Sequence, residues 1–112
     1  MDKQANSVRL DEAFAALGNA KRRAMIETLS YRPASVSQLA NELNLSLPAM
    51  HKHMRQLEKA RLVERRKAGR TNFVALNRQS LEATKTWLNQ FHTEWGNGRE
   101  TLENYIASLS QN

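Results

Sequence analysis

The chain of 112 residues has no cysteine. Disulfides, thiolate metal sites and a cysteine nucleophile are therefore excluded, in keeping with a reducing, cytoplasmic setting. No apolar run approaches the length that spans a bilayer. The N-terminal MDKQANSVRL lacks the apolar core of a secretory signal. Proline occurs twice and glycine four times, and no repeat or low-complexity segment appears. A glycine-rich phosphate loop, a clustered carboxylate pair and a triad-like set are all missing. His51 and His53 flank Lys52 as in some acid–base pairs, but no activated nucleophile accompanies them. Binding is expected rather than turnover, with no cofactor. At 40% hydrophobic and 25% charged residues, the composition is that of one globular domain, 1–112, with a single modest core.

Acidic residues are scarce in one particular stretch. The formal net charge is +6, and all of it lies between residues 51 and 72. There Lys52, Arg55, Lys59, Arg61, Arg65, Arg66, Lys67 and Arg70 face only Glu58 and Glu64. The other ninety residues are neutral in sum. A neutral protein with one focused basic segment has a docking face for a polyanion, and double-stranded nucleic acid is the first partner to consider.

The periodicities give the frame. Residues 1–7 are polar and read as a frayed end. Leu10, Phe14 and Leu17 share one helical face, ended by Gly18. Asn19 is an N-cap for a helix from Ala20 to about Ser30 that buries Met25, Ile26 and Leu29, and Pro33 stops it. Ser35 and Gln38 form a capping box, opening a short helix with Val36, Leu39, Ala40 and Leu43 inward. Asn44 stands where the chain turns sharply, as the usual substitute for glycine in the left-handed conformation. Ser46 caps the next helix, Pro48 falls in its first turn, and Met50, Met54 and Leu57 form its inner stripe. Two helices so joined, about residues 35–59, make a helix-turn-helix. Leu62–Lys67 and Thr71–Leu76 read as strands joined by Ala68-Gly69-Arg70, a hairpin wing over about 62–76.

From about 79 to 110 the pattern is helical again. Leu81, Leu88, Trp95, Leu102 and Leu109 recur every seven residues. One continuous helix would be on the order of 45 Å long, against a radius of gyration of about 13 Å for a 100-residue domain. It would overhang its domain and bury its stripe against a second copy. Gly96-Asn97-Gly98 is the weak point, although the heptad keeps its phase across it. The fold class expected is mainly α with a small β-hairpin: a winged helix-turn-helix with a long C-terminal dimerisation helix. The residues expected at the dimer interface are Phe14, Leu81, Leu88, Phe91, Trp95, Leu102 and Tyr105.

Three stretches carry a resemblance: Leu17-Gly18-Asn19-Ala20-Lys21-Arg22-Arg23, Ser46 to Arg55, and Leu62 to Arg70. Together they resemble the ArsR/SmtB family of small bacterial transcriptional repressors, over roughly residues 10–95. The resemblance implies a homodimer on a two-fold symmetric operator. It places Ser46 to Arg55 in the major groove and the 65–72 hairpin along the backbone. His51 stands where the family often has serine, and Asn44 where it usually has glycine.

Leu47, Pro48, His51, Lys52 and Arg55 point away from the Met50/Met54/Leu57 stripe. The first turns of such a helix meet base edges, so His51 and Lys52 are expected to read bases, and Arg55 to hold a phosphate. Ser46 and His53 are counted with them, His53 as a DNA or cap contact. In the wing, Arg65, Arg66, Lys67, Arg70 and Thr71 would follow the backbone. The competing readings are a solvated helix face and an edge hairpin charged against aggregation. Helix-turn-helix spacing, wing and focused charge together favour DNA. No metal is expected: His51 and His53 point to nearly opposite faces, and His92 has no ligand partner along its helix. Trp87, Phe91, Trp95 and Tyr105 could line an effector pocket, but at helical spacing they read as core and dimer packing. The other function class compatible with the residues is a winged-helix module whose basic face meets an acidic protein partner.

Overall fold

The computed structural model describes residues 3–91 and 101–110. The first helix, α1 (Lys3–Leu17), begins earlier than expected, because residues 3–7 contain no helix breaker and extend it. Its core-facing side chains are Ala13 and Ala16, both buried, rather than Phe14. The alanines let α1 lie close to its neighbours, and the bulkier Phe14 ring is turned outward. Helix α2 (Ala20–Leu29) is capped by Asn19, whose Oδ1 accepts from the Arg22 amide at 3.1 Å, and buries Met25 and Leu29.

Helices α3 (Val36–Glu42) and α4 (Leu47–Lys59) form the helix-turn-helix. The Ser35/Gln38 capping box is present with both bonds, at 3.1 and 3.0 Å. Ser46 Oγ accepts from the Ala49 amide at 3.3 Å, and Pro48 falls in the first turn of α4. Both helices end in the same way. After α3, Leu45 N donates to Ala40 O at 2.9 Å and Asn44 N to Asn41 O at 3.3 Å, with Asn44 at φ 54°. After α4, Leu62 N donates to Leu57 O at 3.0 Å and Arg61 N to Glu58 O at 2.9 Å, with Arg61 at φ 59°. These are Schellman ends, and each needs one left-handed residue. Asparagine tolerates that conformation, whereas a long side chain does so at a cost. Arg61→Gly is therefore expected to raise the free energy of unfolding by about 1 kcal/mol, and Asn44→Gly by less. Urea denaturation checks this, and a lower midpoint for Arg61→Gly would count against it.

The expected hairpin belongs to a three-stranded antiparallel sheet in the order β1-β3-β2. Strand β2 (Val63–Ala68) pairs with β3 (Thr71–Leu76) from Val63↔Leu76 to Ala68↔Thr71. The turn is thus two residues, Gly69-Arg70, not three. Gly69 at φ 64° followed by a residue at negative φ is the pattern of a type II′ turn, which suits the twist of a hairpin. On the other edge of β3, β1 (Ala34–Ser35) pairs Ala34↔Val74 and Ser35↔Phe73. Two residues are too few to show an alternating pattern, so the sequence gives no sign of this strand. Met25, Leu39, Met50, Met54, Leu57, Leu62 and Val74 form the fully buried centre.

The segment expected as one helix over about 79–110 is two helices in the described residues, α5 (Arg78–Asn89) and α6 (Leu102–Leu109). At the end of α5 the bonds tighten, with Gln90 N donating to Trp87 O and Phe91 N to Leu88 O, each at 3.2 Å. From Lys85 onward every described side chain of α5 is exposed. Helices of this length are held mainly by burial of one face, and beyond Thr84 the ring contacts of that face among the described residues are those of Trp87 with Phe14 and Phe91. Thr101 then caps α6, its Oγ1 accepting from the Asn104 amide at 3.1 Å. His92, Trp95 and Gly96-Asn97-Gly98 lie outside the described residues. The molecule is elongated, 71 × 36 × 22 Å, with a radius of gyration of 19.2 Å.

Candidate nucleic-acid interface

Helix α4 is sharply two-sided. Met50, Met54 and Leu57 have no exposed surface, while Pro48, Lys52, Arg55, Gln56 and Lys59 are exposed on the opposite side. Ser46 and Leu47 are exposed at its N-terminus, and His51 is half-buried beside them. Arg55 Nε donates to His51 O at 3.4 Å within the same helix, so its guanidinium end stays on the surface. Gln56 is an addition to the expected residues, following Lys52 by one turn on the exposed face. Helical spacing is its only signal in the sequence, masked by its lack of charge.

The wing divides its basic residues between two faces. Arg65 and Lys67 alternate with Glu64 and Arg66 along β2, so Arg65 and Lys67 share the side of buried Val63. Arg65 Nη2 reaches Glu58 Oε1 of α4 at 3.0 Å, with both side chains about 30% exposed. The sequence groups Arg65 with the free cations of the wing, and the structure makes it a tie between wing and α4. Arg66 lies on the other face, opposite Phe73, which is 42% exposed. Lys67, Arg70 and Thr71 are exposed at the tip. Among the described residues, Lys52, Arg66, Lys67 and Arg70 have no hydrogen-bond or ion-pair partner.

His53 is elsewhere. The sequence places it with the DNA-facing residues, but its half-buried Nδ1 lies 3.3 Å from Nη1 of Arg22 on α2. The same guanidinium donates from Nε to Ala16 O at 2.6 Å and from Nη2 to Ala15 O at 3.3 Å. Arg23 donates to Leu17 O at 2.8 Å, and Lys21 Nζ to Leu43 O at 2.9 Å. The three consecutive bases thus satisfy carbonyls at the C-terminal ends of α1 and α3, where positive charge is favoured. Burial first, then Arg22, Lys52 and Lys21, push the His53 pKa below its ordinary 6.5. The neutral ring accepts from Arg22, and the unfolded chain takes up the proton first. Its contribution to stability is therefore complete above about pH 6.5 and is lost as pH falls from there through the folded-state pKa. His53→Gln should flatten this part of the stability–pH curve in urea melts from pH 5 to 8. A slope equal to that of the wild type would mean that another group is responsible.

A second surface is apolar. The Phe14 and Trp87 rings meet edge-on at 5.4 Å, and those of Trp87 and Phe91 at 4.6 Å. Leu88 is 54% exposed and Phe91 58%. On α6, Leu102, Tyr105, Ile106 and Leu109 are also exposed at helical spacing. Leu81 differs from expectation in being half-buried against its own domain's core. Among the described residues no group of three or more histidine, cysteine or carboxylate side chains could hold a metal, and no helix is long and apolar enough to cross a membrane.

A helix-turn-helix braced by a three-stranded wing, with an exposed cationic stripe on its second helix, defines a winged helix-turn-helix protein of the DNA-binding class. A family profile described as a helix-turn-helix domain matches residues 17–66. The HTH-type transcriptional regulator Rv2034 of Mycobacterium tuberculosis is 40% identical over 83 residues, covering 74% of this chain and 78% of that protein. The crystal structure of an ArsR family transcriptional regulator is 32% identical with a TM-score of 0.73, covering 81% of this chain and 94% of that one. The chain belongs to the ArsR family of transcriptional regulators. The fold is shared as well by a homodimeric winged helix-turn-helix DNA-binding domain from Mycobacterium bovis, at 15% identity and TM-score 0.66 over 90% of this chain and 96% of that one.

Proposed function

We propose that this regulator is a cytoplasmic repressor that binds an inverted-repeat operator as a homodimer, with no catalytic turnover. One observation carries the reading: the exposed stripe of α4 and the tip of the wing offer unpaired cations on a chain whose other segments are neutral in sum. A helix of this kind fits the major groove. His51 and Lys52, in its N-terminal half, read base edges. Ser46, Leu47 and Pro48 approach the groove wall. Arg55 and Gln56 meet phosphates on one side, and Arg66, Lys67, Arg70 and Thr71 follow the flanking backbone. Arg65 keeps the wing at a set distance from α4 through Glu58.

The apolar surface supports the dimer. Exposed Phe14, Leu88, Phe91, Leu102 and Tyr105 need cover, and a second copy brings an identical face about a two-fold axis. Leu88→Lys combined with Phe91→Lys is expected to yield monomers by sedimentation, with a thermal midpoint that no longer rises with protein concentration. An undisturbed dimer would place the interface elsewhere.

The test of function is selection of bound duplexes from a random pool at near-physiological salt. An enriched inverted repeat with half-sites about ten base pairs apart is the expected result. Binding without enrichment that vanishes as salt rises would leave nonspecific electrostatics, and an acidic protein partner would then take the place of DNA.

A further inference from the structure

We propose that Arg22 is a positioning residue for DNA recognition, acting through His53 to fix the direction of α4 on the body of the molecule. The inference rests on the DNA-binding reading and adds to it a residue that lies off the DNA-facing stripe. Arg22 is half-buried on α2, and its guanidinium is spread over three acceptors on two other helices. Nε donates to Ala16 O at 2.6 Å and Nη2 to Ala15 O at 3.3 Å, both near the end of α1. Nη1 lies 3.3 Å from Nδ1 of His53 on α4. An arginine only donates, so Nδ1 is the acceptor and the ring proton is on Nε2. A rigid, planar fork of donors sets direction as well as distance, which a flexible lysine would not.

The rest of the seat of α4 is apolar. Met50, Met54 and Leu57 lie in one buried cluster with Ala16, Met25 and Leu29, and apolar contact is not directional. Among the described residues, the side chains of α4 make two hydrogen bonds to other elements, His53 with Arg22 and Glu58 with Arg65 of the wing. Only the first ties α4 to α1 and α2, and α1 also carries Phe14 of the apolar surface. At 1.5 Å per residue α4 is about 20 Å long, so a tilt of about 5° moves one end by about 2 Å. A hydrogen bond to a base edge does not survive a shift of that size. In a dimer the error would occur in both half-sites. The neutral His53 ring completes the tie. The charges acting on it are Arg22 and Lys21 of α2 and Lys52 of its own helix, and none is a carboxylate. A proton on Nδ1 would set two cations 3.3 Å apart and release Arg22 from α4.

The experiment joins duplex titrations of the full chain to a distance measurement without DNA. Arg22→Met and His53→Leu, assayed where circular dichroism shows full folding, should each bind a selected duplex about 10-fold to 100-fold more weakly. Affinity for a random duplex and its salt slope should stay as in the wild type, since no phosphate contact is lost. The double variant should bind no more weakly than either single one, because the two groups act as a unit. His53→Gln, whose amide oxygen still accepts from Arg22, should keep the affinity. It should also abolish the loss of affinity expected of the wild type from about pH 7.5 to 5.5. His51 is common to both proteins, so their difference reports His53. Should Arg22→Met fail to fold, the two His53 variants decide. Selected-duplex affinity equal to wild type in folded Arg22→Met and His53→Leu would overturn the proposal and leave Arg22 a cap for α1. A random-duplex slope shallower by about 1.8 in Arg22→Met would overturn it too, by making Arg22 a phosphate contact in each half of the dimer. The chain has no cysteine, so spin labels at Glu27→Cys and Lys59→Cys, in labelled chains diluted with unlabelled ones, report the distance between α2 and α4. That distribution should broaden in Arg22→Met and His53→Leu and not in His53→Gln. The same pattern in a protein that selects no DNA sequence would sink the DNA reading and leave Arg22 as the residue that orients α4. A distribution unchanged in Arg22→Met and His53→Leu would overturn the proposal whatever the DNA result.

Discussion

Alanine at both Arg55 and Arg66 is expected to weaken binding to every duplex and to flatten its dependence on salt. A dimer would lose four phosphate contacts, and each contributes about 0.9 to the slope of log K against log salt. The slope should become shallower by about 3.6, so the affinity lost between 50 and 200 mM salt should shrink by about 10²-fold. Preference among sequences should survive, because phosphates carry no base identity. The opposite pattern is expected for His51→Ala and Lys52→Ala. Those variants should relax selectivity at one or two positions of each half-site, at a cost of about 1–3 kcal/mol per lost base contact. Titrations of fluorescent duplexes at four salt concentrations separate the two classes. A change of base preference in the Arg55/Arg66 variant with the slope intact would reverse the assignment of roles.

Met54→Ala is the second large effect. The side chain has no exposed surface and belongs to the inner stripe of α4. It lies in one buried cluster with Ala16, Met25 and Val63, so it joins the DNA-facing helix to α1, α2 and the wing. Truncation of a buried methionine to alanine costs about 2–5 kcal/mol through lost transfer energy and the cavity left behind. Domains of this size have a total stability of only about 5–15 kcal/mol, so a large share of it would go. Urea unfolding should show a much lower midpoint with a similar slope. DNA affinity extrapolated to the fully folded fraction should change little, since no cation moves. A midpoint within about 0.5 kcal/mol of wild type, the ordinary effect of a surface change, would mean that the core under α4 repacks.

The elements legible in the sequence are those set by neighbours within four or five positions. The Ser35/Gln38 box, the Ser46 and Asn19 caps and the left-handed turn at Asn44 each arise from local hydrogen bonding. The Met50/Met54/Leu57 stripe follows from helical period alone. The concentration of charge between 51 and 72 is visible by simple counting, and it marks the candidate DNA surface without knowledge of any contact.

Other features rest on contacts between distant parts of the chain. The sequence could not show that Ala13 and Ala16, not Phe14, face the core, because that depends on how closely α1 lies to its neighbours. Strand β1 exists only through pairing with Val74 and Phe73, some forty residues away. His53 carries the same local signs as His51, and only the approach of Arg22, 31 residues earlier, takes it out of the basic face. Arg65 is one cation among several until the fold sets it against Glu58. The heptad after residue 79 keeps its phase, yet phase does not supply a partner for the exposed apolar side chains of α5 and α6.

By itself the sequence determined the winged helix-turn-helix order, the caps that delimit its helices and the place of the positive charge. These are consequences of backbone hydrogen bonding and side-chain period, which act over a few residues. Only the tertiary structure decided which cations are free and which are bound to carbonyls or to Glu58, and that Arg22 reaches from α2 to His53 on α4. Those outcomes depend on the packing distance between helices, and packing is settled by the whole core at once.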